Sequence, residues 1–150
     1  MKTQTNRTNV KVRVAVQSDA GSIADLCIQL GYDTSKEEVE PRLKKALGDE
    51  RNITCVAEVD GKTVGWLQVA MKQTIESGEY AEITGLVVDK ASRGKGIGRI
   101  LVEHAEEWAR KVGQQRIRVR MNVIRKDAPL FYRALGFKEI KKQSVFYKPL

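Results

Sequence analysis

The chain has 150 residues, of which 41% are hydrophobic and 31% charged, and it carries a formal charge of +8 at neutral pH. That length suits one domain with one core, and no apolar run approaches the roughly 20 residues that span a bilayer. The positive balance favours anionic partners, whether nucleic acid, acidic lipid or a phosphorylated cofactor, without choosing among them. Cys27 and Cys55 lie in apolar stretches without CxxC spacing, so neither a disulfide framework nor a zinc site is expected, and a reduced cytoplasm is the simplest home.

Residues 1–10 are polar and lack the apolar centre of a secretory signal; they read as a flexible tail, and 11–150 as one domain. Lys11–Gln17 alternates valine with polar residues, the pattern of a half-buried strand. Ser18 and Asp19 then cap a helix carrying Ile23, Leu26, Cys27 and Leu30, which ends near Gly31. A second helix follows Thr34 and Ser35, with acids early and lysines late, and Pro41 predicts a kink or a broken first turn. Asn52–Val59 and Lys62–Met71 flank Asp60-Gly61, a favoured two-residue hairpin turn. A third strand, Ala81–Val88, leads to a glycine loop and a long helix. Gln115–Met121 alternates as a strand, Asp127–Leu135 is a short helix ended by Gly136, and Phe137–Lys148 closes the fold as strand. The order is strand, two helices, three strands, helix, strand, helix, strand, which predicts a mixed α/β sheet with antiparallel and parallel parts.

The glycine loop reads RGKGIG at the start of a helix. Several backbone N–H groups there converge on one point, and with the helix dipole they suit a pyrophosphate. A tight strand-to-helix turn with solvated cations is the plainer alternative. The P-loop pattern is not met, because Gly98 is followed by Arg99 and Ile100, and the G-x-G-x-x-G fingerprint is absent.

The segment LVVDKASRGKGIGRILVEHAEEWA, followed by NVIRKDAPLFYRALGF, resembles the two signatures of the GNAT superfamily of acetyl-CoA-dependent N-acetyltransferases. Arg93, Gly96 and Gly98 match the family's Arg/Gln-x-x-Gly-x-Gly/Ala loop. Asn122, Ala128, Tyr132, Gly136 and Phe137 match its second segment. The resemblance covers nearly the whole chain from about Lys11. It implies a single GNAT-like domain with splayed central strands and acetyl-CoA as co-substrate, its pyrophosphate on Arg93, Gly94, Lys95, Gly96, Ile97, Gly98 and Arg99. It further implies that Leu86, Val87 and Val88 face the pantetheine arm through their backbone, with a Leu86 or Val87 N–H near the thioester carbonyl. Asn122 is expected to hydrogen-bond the cofactor or the substrate.

The family's reaction is direct attack of an amine on the thioester in a ternary complex. Tyr132 occupies the usual general-acid position, where a phenol can protonate a departing thiolate; a packing tyrosine is the alternative. Glu82 is the base candidate, with a solvent-facing glutamate as its alternative and Glu79 as a substitute. One position departs from the pattern: Arg125 stands where many relatives carry asparagine.

Tyr32, Asp33 and Glu37, with Glu38 and Glu40, lie where relatives wall the acceptor site, and they would suit a cationic amine; dipole-favourable first-turn acids are the alternative. His104 shares a helical face with Leu101, Ala105 and Trp108 and is expected to be packed rather than catalytic. Arg116, Arg118 and Arg120 share one face of a strand, as a solvated face, a cofactor rim or a nucleic-acid stripe. No metal-ligand spacing is present. The expected function is acetylation of a small primary amine, aminoglycoside-like or polyamine-like. A peptide acetyltransferase, a non-catalytic acyl-CoA sensor and a nucleic-acid module are the alternatives. No membrane partner is expected, nucleic acid is disfavoured, and a homodimer through the C-terminal strand is an option.

Overall fold

In the computed structural model, which describes residues 9–122 and 125–150, five strands form one sheet. Nearly all of the expected N-terminal tail lies outside the described residues. The chain divides into two compact units, one ending at Arg120 and one running Met121–Leu150. The sheet belongs to the first. β1 (Val10–Val14), β2 (Asn52–Val59), β3 (Lys62–Thr74) and β4 (Gly78–Val88) are antiparallel neighbours in chain order, and β5 (Ile117–Val119) adds to β4 in parallel. The β2–β3 hairpin closes as its turn residues require: Asp60 and Gly61 both adopt positive φ, 51° and 76°, the geometry of a type I′ turn.

A short 3-10 turn, Gln17–Asp19, precedes α1 (Ala20–Gln29). The expected side-chain cap by Ser18 or Asp19 does not form. The Asp19 carboxylate instead accepts from two Arg13 guanidinium nitrogens at 2.8 and 2.9 Å and from the Val16 N–H at 2.8 Å. Arg13 also donates to Glu58 at 2.9 Å, so one cation joins β1, the turn and β2. These bonds hold the Asp19 carboxyl below its ordinary range, although burial opposes them.

α2 (Lys36–Leu47) starts as the sequence predicts, with Ser35 Oγ accepting from the Glu38 N–H at 3.2 Å. It runs unbroken through Pro41, so the expected broken turn is absent. Proline removes one backbone bond, and the buried Val39 and Leu43 on either side keep the helix on the core.

Residues of α1 and α2 (Ile23, Ala24, Val39, Leu43) cluster with Val56 of β2, and Trp66 of β3 packs against them. On β3 the preceding residue, Gly65, faces the other side. A Cβ there would stand 3.2 Å from Leu101 and 3.5 Å from Ile97. Both belong to α3 (Ile97–Lys111), so α1 and α2 cover one face of the sheet and α3 the other.

The second unit contains α4 (Ala128–Ala134), ended by Gly136 at φ 93°. The expected strand over Phe137–Lys148 is not formed: no described residue pairs with it, and Val145, Phe146 and Tyr147 are exposed. A chain segment becomes a strand only when a neighbour completes its ladder. The mixed α/β sheet is otherwise as expected, with β1 ending at Val14 and β5 shortened to three residues.

Candidate active site

β4 and β5 pair only over Ala81–Ile83 with Ile117–Val119. Beyond Ile83, β4 continues for five residues with no partner on that side among the described residues. The register against β3 slips in the same place: Gln68 pairs with Gly85 but Val69 with Ile83, leaving Thr84 as a bulge. Thr84 Oγ1 donates to Gln68 Oε1 at 3.1 Å. After the bulge the Asp89 N–H bonds the Val64 carbonyl on β3 at 2.8 Å. By alternation, Leu86 and Val88 therefore turn their N–H and C=O groups to the open edge. Val87 is turned the other way, with its main chain toward β3 and its side chain buried, so its N–H does not reach the edge as expected. The Val88 carbonyl is taken by Arg93 Nε at 3.1 Å.

Gly85 lies against an aromatic ring. A Cβ at this position would lie 2.4 Å from Trp66 Cη2 and 2.6 Å from Cζ3. The Trp66 indole N–H is buried with no hydrogen-bond partner among the described residues. The Cys27 sulfur feels this N–H without meeting hydrogen-bond geometry, and the N–H offsets part of the rise that burial imposes on the thiol's pKa.

The glycine loop joins β4 to α3. Gly94 and Gly96 both have positive φ, 79° and 81°, and nothing lies within 4 Å of a Cβ built on either. Backbone conformation therefore demands glycine here. Gly96 is the N-cap of α3 and offers no side-chain acceptor. The amides of Ile97, Gly98 and Arg99 thus begin a helix with no intrahelical partner, beside Lys95 and Arg99 and without an acid in the first turn. Such an end is suited to an anion. Gln29 braces the loop's entrance by donating to Asp89 at 2.7 Å and accepting from the Lys90 N–H at 2.9 Å.

Glu82, in the paired part of β4, is only 6% exposed, so it is not the solvent-facing glutamate of the alternative reading. Arg120 Nε donates to its carboxylate at 3.1 Å. The neighbouring arginines are also engaged. Arg118 stacks on Tyr80 at 4.1 Å, and Arg116 donates to the Glu79 and Ser77 carbonyls, at 2.9 Å for Glu79. The arginine stripe is thus tied to its own sheet. Glu79 is exposed, and so is His104, which does not pack as expected.

Tyr32, Asp33 and Glu37 are exposed, Tyr32 at 64%. Among the described residues, no hydrogen bond or ion pair joins any of them to Glu82, whose carboxylate is bonded by Arg120. Glu38 and Glu40 are used within α2, by Arg42 at 3.5 Å and Lys36 at 3.8 Å. An open surface depression of about 340 Å³ lies instead beside the end of α2, over β2 and β3, among Arg42, Lys45, Asp49, Arg51, Asn52, Gln68, Ala70 and Lys72, its four cations all exposed. Ala70 in its wall is the cross-strand partner of Glu82. Sequence reasoning missed this cluster because its members come from a helix end, a loop and two strands. Only the register joins them.

In the second unit, Tyr132 on α4 is 8% exposed and packs edge-to-face against Phe131 and Phe137, with centroids 5.1 and 5.6 Å apart. Burial pushes its phenol pKa up, and Arg125 pulls it partly back. Asn122 is exposed, and its carbonyl accepts from the Arg125 N–H at 3.0 Å. Among the described residues no group of three or more His, Cys, Asp or Glu could hold a metal, and no helix is long and apolar enough to cross a membrane.

An uncharacterised N-acetyltransferase of Methanocaldococcus jannaschii is 41% identical over 86 residues, 56% of this chain and 38% of that protein, so the chain spans well under half of that relative's length. An aminoglycoside N(6′)-acetyltransferase type 1 of Stenotrophomonas maltophilia is 28% identical over 144 residues, 93% of each chain. An aminoglycoside N-acetyltransferase solved in complex with CoA superposes with a TM-score of 0.82 over 93% of this chain and 94% of that one, at 17% identity. The sequence profile of the Acetyltransferase (GNAT) family matches residues 22–137, taking in parts of both units. The chain belongs to the GNAT family of acetyltransferases.

Proposed function

We propose that the chain transfers the acetyl group of acetyl-CoA to a primary amine of a small molecule. The observation that carries this reading is the open edge of β4, where the main chain of Leu86 and the Val88 N–H face no partner strand among the described residues, one loop before the Gly96 cap of α3. The edge suits an amide-bearing pantetheine arm, and the first-turn amides with Lys95 and Arg99 suit its pyrophosphate. Arg93 acts there by holding the Val88 carbonyl.

Glu82 takes a proton from the incoming ammonium, directly or through water, so that a neutral amine attacks. The C–N bond forms as the C–S bond breaks, and the Leu86 N–H stabilises charge on the carbonyl oxygen. Tyr132 donates its phenolic proton to the sulfur, a role assigned by its place in the family motif. Its raised pKa keeps that proton in place up to the alkaline range. The free thiols of Cys27 and Cys55 fit a reducing cytoplasm.

The full-length relative supports a small molecule as acceptor, aminoglycoside-like or polyamine-like amines being one form of it; a peptide amine is the other reading. Thiol release from acetyl-CoA against a panel of amines is the test. Release with small amines supports the enzyme, whereas acetyl-CoA binding without release from any amine would leave the sensor reading.

A further inference from the structure

We infer that the acceptor amine also carries an anionic phosphate, phosphonate or carboxylate group, received by Arg42, Lys45, Arg51 and Lys72 in the depression beside Glu82. The inference rests on the acetyl-transfer reading and names the acceptor class of that same site. Four cations line this depression against one acid, Asp49. The acid is already engaged, since Asp49 Oδ1 accepts the Arg51 N–H at 2.9 Å. Arg42 is shared with Glu38 at 3.5 Å, but both side chains are more than half exposed, and such a pair within one helix is weak enough to yield to a better anion. On the far side of Glu82, Arg120 adds another positive charge. A polycationic amine entering here would meet like charge on both sides of the base. An amine on an anionic molecule would meet complementary charge.

The spacing fits one small molecule. Ala70 in the depression's wall lies directly opposite Glu82, and Asn52 lies opposite Ala70 on the next strand. Adjacent strands are about 5 Å apart. Glu82 and Asn52, two strands apart, are therefore about 10 Å from each other, a gap that the Glu82 side chain and an aminoalkyl phosphate or amino-sugar phosphate would fill together. The floor of the depression is polar and pre-ordered. Gln68 Nε2 donates to Asn52 Oδ1 at 3.1 Å, Asn52 Nδ2 donates to the Ala46 and Asp49 carbonyls at 3.0 and 2.9 Å, and Gln68 Oε1 receives Thr84 at 3.1 Å. That chain of bonds joins the anion side of the depression to the strand that carries Glu82. Such an acceptor differs in charge from the aminoglycoside-like or polyamine-like amine that Tyr32, Asp33 and Glu37 would suit, and the test below separates the two.

The test uses matched amines that differ only in the anionic group: phosphoethanolamine against ethanolamine, and glucosamine 6-phosphate against glucosamine, with spermidine and kanamycin as polycations. Thiol release from acetyl-CoA is followed for the full chain and for Arg51→Gln and Lys72→Gln. The expected result is a kcat/KM at least about tenfold higher for the anionic member of a pair, carried by KM, as for a charge-assisted contact. Each variant should pull that ratio toward one while the KM for acetyl-CoA and the melting temperature hold. Turnover that is equal within pairs, or best with spermidine or kanamycin, overturns the inference and leaves acetyl transfer standing. No thiol release with any amine, while acetyl-CoA binds, overturns the acetyl-transfer reading and the inference with it.

Discussion

Replacing Gly85 by alanine tests whether Trp66 shapes the open edge of β4. The new methyl would sit 2.4 Å from Trp66 Cη2, about 1 Å inside the 3.5–4.0 Å at which carbon atoms rest. The ring is confined by the cluster around Val56 and Val39, so either it or the strand must move. Overpacking of this kind costs about 1–3 kcal/mol, and at about 2–4 °C per kcal/mol for a chain of this size the melting temperature should fall by about 2–12 °C. Trp66→Phe removes the offending ring atoms together with the unpartnered indole N–H. Its own cost, the loss of buried ring area, is partly offset by relief of that orphan donor. In the Trp66→Phe background, Gly85→Ala should cost less than about 0.5 kcal/mol, giving a coupling of at least about 0.5 kcal/mol in a denaturant-melt double-mutant cycle. Affinity for acetyl-CoA should follow the same pattern, because Gly85 precedes Leu86 on the open edge. An equal loss of stability in both backgrounds would refute the reasoning.

Tyr132→Phe should lower kcat by about 10²-fold or more, with the acetyl-CoA dissociation constant nearly unchanged; steady-state kinetics with direct binding would check this, and equal loss of both would remove the acid role. Gly96→Ala forces a side chain into φ 81° and should destabilise by about 1–2 kcal/mol while weakening CoA binding, both measurable in one thermal-shift titration. Asp19→Asn should cost about 2–3 kcal/mol at pH 7 by breaking the Arg13 pair. The folded-state pKa of Asp19 is depressed, so its contribution is complete above the ordinary carboxyl range near pH 4 and fades as pH falls through the lower folded value. Melts from pH 6 to pH 2.5 should show wild type and variant converging only at the acid end.

Elements governed by local pattern were legible in the sequence. The Asp60-Gly61 turn, the β2 limits and the Ser35 cap all depend on neighbours within a few residues. So did the glycine loop, whose two αL positions only glycine accepts readily. Features set by partners distant in sequence were not legible. Asp19 was expected to cap a helix because nothing local reveals that Arg13 claims it. Val87 was grouped with Leu86 and Val88 because the direction of an amide follows from register. The bulge at Thr84, which sets that register, depends on Gln68 sixteen residues away. The Phe137–Lys148 segment was expected to close the sheet, but its own residues do not supply a partner strand.

β5 is fastened by three residue pairs, and the chain reaches it only after the crossover through α3. The meander from β2 to β4 joins its neighbours through short turns, so its contacts are local and close early, whereas the entropy of closing a long crossover must be met before three pairs return anything. Folding is therefore expected to run from the meander outward, with β5 docking last and leaving first. Amides of Ile117–Val119 should exchange with solvent well ahead of those of Val56 and Leu67 at the sheet's centre. The strand pair that frames the open edge of β4 is thus the least durable seam of the sheet, and any molecule bridging it would act as a clasp on that sheet.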